Sequence, residues 1–175
     1  NIGWEQEYSK KDGQLSGTEG KSLRLEAMKI NLKNAPSGLK IKYQAHVQNI
    51  GWQGWKENGQ TTGTEGKSLR LEAIKINLEG TKKYKIQYRV HIQNIGWQEW
   101  KEDGQVAGTE GKSLRIEAIQ IKIVPVKSIS VEYNSHISMI GWENDYSRIN
   151  GHTSGTTGKS LGIEALKIRL KGVDN

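Results

Sequence analysis

The sequence predicts an all-β protein built from four copies of one antiparallel unit, and three observations carry that reading. Gly-Trp pairs begin at Gly3, Gly51, Gly96 and Gly141, and Gly-Thr-x-Gly-Lys-Ser segments begin at Gly17, Gly63, Gly108 and Gly155, a period of 45 to 48 residues. Apolar residues alternate with period two in the segment ahead of Gly-Trp. Asn-Gly or Asp-Gly dipeptides recur at fixed places, while helical periodicity is sustained nowhere. Self-similarity at such a period marks a repeat architecture, in which one unit borrows a neighbour to bury its apolar face. With 34% hydrophobic residues, no Phe and a mean hydropathy of -0.72, one copy has too little apolar surface to fold alone. The expected architecture is a closed, pseudo-symmetric body, prism-like or trefoil-like, with a propeller-like ring as the alternative.

Copy one runs over 1–33 and opens directly at Gly-Trp, without the strand that precedes it elsewhere, so the chain reads as a piece of a larger repeat-bearing protein. Copies two, three and four run over 39–80, 81–123 and 126–172. The connections, Asn34 to Gly38 and the single Pro125, are too short for free linkers, which predicts one body spanning 1–175. In copy two Leu39, Ile41, Tyr43, Ala45 and Val47 fall on one face and Lys40, Lys42, Gln44, His46 and Gln48 on the other, the pattern of a half-buried strand. Ile86, Tyr88, Val90 and Ile92 repeat it, as do Ile129, Val131, Tyr133 and Ile137. After the Gly-Trp segment, Asp12-Gly13, Asn58-Gly59, Asp103-Gly104 and Asn150-Gly151 accept the positive φ of a tight hairpin tip. The last strand changes parity, with Leu69 and Leu71 on one face and Ile74, Ile76 and Leu78 on the other. A bulge near Glu72-Ala73 would reconcile them.

The net charge of +7 favours anionic partners, an acidic wall polymer among them. Lys and Arg nevertheless alternate with apolar residues as on a solvated sheet face, and no basic cluster is interleaved with aromatics, so nucleic acid is not expected. No apolar run approaches the length needed to cross a membrane, which predicts a soluble chain without membrane insertion. Cysteine is absent, removing disulfides and thiolate metal sites.

Gly63-Thr64-Glu65-Gly66-Lys67-Ser68 invites comparison with a phosphate-binding loop and fails it. The required first glycine would stand at position 61, where Thr61 sits, and a strand follows rather than a helix. Glu26, Glu72, Glu117 and Glu164 stand at one place in every copy. Repetition gives each the same environment, whereas a catalytic acid and base need different ones, so no enzyme is expected. His46, His91 and His136 lie on the polar strand face six residues ahead of Trp52, Trp97 and Trp142, without metal-ligand spacing, and neither a metal nor a cofactor is expected. They and Glu72 and Glu117 are either structural or lining for a pocket beside the Trp.

Residues three apart in a strand face opposite sides. The Gly-Trp tryptophans are therefore assigned to the core, and Trp55 and Trp100 outward as stacking platforms, with Tyr8 and Tyr146 as altered equivalents. A flat ring beside amide and carboxylate groups suits a sugar, whose C–H face is apolar and whose edge is polar.

Tyr43, His46, Gly51-Trp52, Trp55, Asn58-Gly59, Gly63 to Ser68 and Leu71-Glu72-Ala73-Ile74, with their counterparts in copy three, resemble the clostridial hydrophobic repeat with a central Trp, the ChW repeat. Copy four departs at Trp142 to Tyr146 and at Gly162, where the other copies have Arg; copy one lacks the Tyr and His. The resemblance implies a secreted or cell-surface protein of a Gram-positive bacterium, in which such repeats accompany wall hydrolases and adhesion modules. On that basis the expected partner is a polysaccharide or cell-wall glycan, with a proteinaceous adhesion partner as the alternative.

Overall fold

A computed structural model describes residues 3–6, 10–126 and 129–172. Tyr8, one of the expected platforms, lies outside the described residues. All regular structure is β, and among the described residues no helix is long and apolar enough to cross a membrane. The chain divides into two compact units, 1–126 and 127–175, with copies one to three in the first and copy four in the second.

In the first unit, copy one supplies β1 (Ser16–Gly17) and β2 (Ala27–Met28). Copy two supplies β3 (Lys40–Val47), β4 (Gly51–Trp52), β5 (Lys56–Glu57), β6 (Thr62–Gly63) and β7 (Leu71–Glu79). Copy three repeats them as β8 (Tyr84–Ile92), β9 (Gly96–Trp97), β10 (Lys101–Glu102), β11 (Ala107–Gly108) and β12 (Ile116–Pro125). The long strands β3 and β7 pair antiparallel, as do β8 and β12. The expected bulge is present: Val47 pairs with Leu71 and His46 with Ala73, so Glu72 is the extra residue, and Glu117 takes the same place in copy three. Four consecutive buried residues, Leu71 to Ile74, are the signature of that slip.

The expected tips are true turns, with φ of 32° and 83° at Asn58 and Gly59 and a bond from Gln60 N to Glu57 O. Their arms do not pair with each other, however. The incoming arm β5 pairs with its own copy's β3, while the outgoing arm β6 pairs with β2 of copy one. Likewise β11 of copy three pairs with β7 of copy two, and β1 of copy one pairs with β12 of copy three. Each copy therefore lends a two-residue strand to the copy before it, and the first lends to the third. The sheets do not close into a barrel, which is where the closed body expected from the spacing stops.

The lent strand explains why glycine heads the Gly-Thr-x-Gly-Lys-Ser segment. Gly17, Gly63 and Gly108 lie against the backbone of the neighbouring copy; a Cβ would stand 2.8 Å from Ala118 Cα, 2.6 Å from Ala27 Cα and 2.5 Å from Ala73 Cα respectively. Only a residue without a side chain admits that approach. The core joins the apolar faces of all three copies: Met28 from the first, Ile41, Tyr43, Val47, Leu71, Ile74 and Ile76 from the second, Ile86, Tyr88, Val90, Ile92, Ile116 and Ile119 from the third. One copy could not enclose it.

Copy four folds on the same plan, with β13 (Ser130–Ile137), β14 (Gly141–Trp142), β15 (Arg148–Ile149) and β16 (Ile163–Lys171), and Glu164 as the bulged residue. Its apolar face is largely open. Val131, Ile163, Leu166, Ile168 and Leu170 are exposed, although their pattern predicted a buried face; Ser135 and Ile137 stay buried on that side, and Glu132 and Asn134 are buried on the other. Among the described residues of this unit nothing covers most of the apolar face, while the arm through Glu143 and Arg148 lies over the polar one.

Candidate functional site

The polar face of each long-strand pair carries the recurring chemistry. The bulge turns Glu72 inward, 6% exposed, where Arg70 donates to its Oε1 at 2.8 and 3.0 Å. Nδ1 of His46 stands 3.2 Å from its Oε2, close enough for an ion pair but off-angle for a hydrogen bond. Copy three repeats the group, with Arg115 and His91 on Glu117. In copy four Gly162 leaves Glu164 with His136 at 3.0 Å and a largely exposed side chain. The histidines and glutamates are thus brought together, as a buried cluster in copies two and three and an exposed pair in copy four.

Trp52 does not enter the core. It pairs across the strand with His46, and cross-strand partners share a face. The two rings meet edge-on at 5.5 Å with Lys75 over the indole at 4.3 Å. His91 and Trp97, and His136 and Trp142, repeat this at 5.6 and 5.3 Å. Trp4 and Trp142 are exposed outright. The core assignment of the Gly-Trp tryptophans is therefore corrected: the opposite face is already filled by Tyr43, Ile74 and Ile76.

Trp55 points outward, 46% exposed, beside an open cleft of about 290 Å³ lined by Lys42, Glu57, Asn77 and Glu79. Lys42 bridges Glu79 at 3.0 Å and Glu57 at 3.4 Å, and these bonds, Glu79 first, raise its ammonium above the ordinary lysine value. Trp100 occupies the same place in copy three but is half-buried under cations, Lys122 at 4.0 Å and Arg89 at 4.8 Å, with Arg89 equally near Trp97. Tyr146 in copy four lies under Arg169 at 3.7 Å. Hydrogen bonds from Arg169 and then Lys171 hold Glu132 beneath the ordinary carboxylate range. The candidate platforms therefore share a place in the repeat and differ in cover: open in copy two, cation-capped in copies three and four.

Reasoning from sequence missed the residue after Gly-Trp. Gln53 accepts from Gly63 N at 2.6 Å and donates to Gly63 O at 3.1 Å, clamping the lent strand to its own hairpin. Gln98 does the same for Gly108. Its recurrence directly after Trp was the available signal. Lys42, Asn77 and Glu79 were also missed, because they vary between copies and look like ordinary strand surface. Among the described residues, no group of three His, Asp or Glu could hold a metal ion.

The family model described as Clostridial hydrophobic W matches four times, at residues 1–34, 46–80, 91–125 and 136–172. No match was found among curated proteins or among solved structures.

Proposed function

Since the chain belongs to the Clostridial hydrophobic W family, we propose that it is a non-catalytic, multivalent module that holds a larger secreted protein on cell-wall or cell-surface glycan of a Gram-positive bacterium. The observation that carries the reading is Trp55, an exposed indole beside a shallow cleft edged by an ammonium, two carboxylates and an amide. An apolar ring face offers a surface to sugar C–H groups, and the polar rim offers hydrogen bonds to hydroxyls. Glu57 and Glu79 share one Lys42 and so have like surroundings, which favours binding over acid–base work. The cyclic lending of strands supports a pseudo-threefold, prism-like arrangement of copies one to three, with the platforms repeated around one body. Several weak sites so arranged raise avidity through effective concentration.

The test is retention of the whole chain on purified Gram-positive cell walls, with Trp55→Ala, Trp100→Ala and the double variant compared after circular dichroism confirms folding. Loss of one stacking contact of about 1 kcal/mol predicts several-fold weaker binding for Trp55→Ala. The double variant should fall further. Undiminished binding by a folded double variant refutes the reading. Exposed isoleucines at each first hairpin tip, Ile50, Ile95 and Ile140, favour the second reading, a proteinaceous adhesion partner, and binding lost when walls are stripped of protein selects it.

A further inference from the structure

We propose that copy four is an assembly surface: its open β-face takes two further copies of this repeat, which other molecules of this chain can supply, joined as copies one to three are joined in the first unit. The template is internal. In the first unit three equivalent backbone bonds run from the lent loop, Thr18 N to Glu117 O, Thr64 N to Glu26 O and Thr109 N to Glu72 O, at 3.0, 2.8 and 2.8 Å. Three more run from the turn glycine, Gly13 N to Ile121 O, Gly59 N to Ile30 O and Gly104 N to Ile76 O, at 2.6, 2.7 and 2.7 Å. Every lent loop and every receiving strand is used once. Copy four has the same parts, Gly151 and Thr156 as donors and Ile168 and Glu164 as acceptors, and among the described residues none of these bonds is made.

The side chains tell the same story. Ile76 is 0% exposed and its counterpart Ile168 is 60% exposed; Ile74 is 1% and Leu166 53%. Gly155 keeps the positive φ of the lending glycine, at 98°, yet a Cβ on it would meet only the side chain of Ile163, where the other three face a neighbour's backbone. The cradle is built, and among the described residues no copy fills it. A repeat that exposes this strand presents an apolar face and unpaired backbone groups together, the combination that recruits another chain.

The occupant follows from which residues cover this face elsewhere: another copy of the same repeat. Copy one lends β1 to copy three across an intervening copy, so the joint does not depend on the two partners being consecutive in the chain. The joint is head-to-tail, and such joints form a ring when the rotation closes. Among copies one to three it closes at three.

The experiment is sedimentation equilibrium and light scattering of the whole chain over a wide concentration range, for the wild type, Ile168→Glu and Leu166→Lys. The expected result is a reversible shift from 19.6 kDa to three times that mass, lost in both variants while their far-UV circular dichroism stays unchanged. Because both side chains are exposed in the isolated copy, the substitutions leave its fold intact; should one variant misfold, the other carries the test. A wild type that stays monomeric at every concentration overturns the proposal. So does a dimer as the end state, or association that both folded variants retain.

Discussion

Substituting Gly108 by alanine tests whether the lent strand holds the first unit together. Gly108 has φ 115° and Gly155 has φ 98°, so alanine costs about 1–2 kcal/mol of backbone strain at either position. At Gly108 the new Cβ would also stand 2.5 Å from Ala73 Cα, and the strands must part to admit it. Parting them weakens the bonds from Thr109 N to Glu72 O and Gly104 N to Ile76 O, about 1 kcal/mol each, and overpacking adds roughly 1–3 kcal/mol. The total, about 4–7 kcal/mol, is comparable with the whole stability of an ordinary domain, about 5–15 kcal/mol. Gly155→Ala should cost only the strain, since no backbone faces that position. The assay is urea unfolding at low protein concentration, where copy four is unassociated, in a Trp142→Phe background so that the remaining tryptophans all report the first unit. For Gly155→Ala, the Trp142 signal and a retained Trp142 serve instead. Equal losses for the two variants would refute the reasoning, because the strain is shared and only the neighbour's backbone distinguishes them.

The buried cluster gives a second contrast between copies. Glu72→Gln should lower stability by about 1–3 kcal/mol, because it leaves Arg70 and His46 facing a neutral amide in a buried place, whereas Glu164→Gln, at an exposed glutamate, should change little; chemical denaturation reads both. Burial raises the Tyr88 phenol from 10.0 to about 12. A raised folded-state value favours the neutral form, so the contribution is intact below about pH 10 and is lost as pH rises through about 12. Thermal melts across that window should fall more steeply for the wild type than for Tyr88→Phe. In copy four, bonds from Ser154 first and then Arg148 lower the Glu143 carboxyl from 4.5 to about 2. A depressed value contributes stability above about pH 4.5 that is lost as pH falls through about 2, so the Trp142 fluorescence signal should show an acid transition there, and Glu143→Gln should flatten it.

The regular parts of this fold were legible because they rest on local rules. Alternation located β3, β8 and β13, the Asn-Gly and Asp-Gly pairs located the turns, and the parity change from Leu71 to Ile74 located the bulge at Glu72. What sequence could not supply was the partner of each strand. Asn58-Gly59 reads as a hairpin tip because nothing local says that its outgoing arm belongs to another copy. Copy four reads like the others for a related reason: its apolar alternation has the form of a core face, and nothing local says whether a neighbour covers it. The placement of Trp52 was within reach. A three-residue turn centred on Asn49 puts position 52 opposite position 46, and His46 had been assigned to the polar face. Treating the strand as flat and isolated, rather than as paired, sent the ring to the wrong side.

The repeat separates what must stay from what can vary. The clamp on the lending glycine, the bulged glutamate and the turn serve the joint between copies, and a joint used in a cycle tolerates no weak member, since each copy both lends and receives. The platform serves no joint. Lys42, Gln87 and Glu132 occupy one position around it, and Asn77, Lys122 and Arg169 another, which leaves the ring open in copy two and under cations in copies three and four. On the glycan-binding reading proposed above, the open indole would take neutral sugar, and the guanidinium and ammonium already over a ring would take acidic groups. Divergence at the platform therefore varies the surface that each copy offers without touching the backbone bonds that join copies one to three.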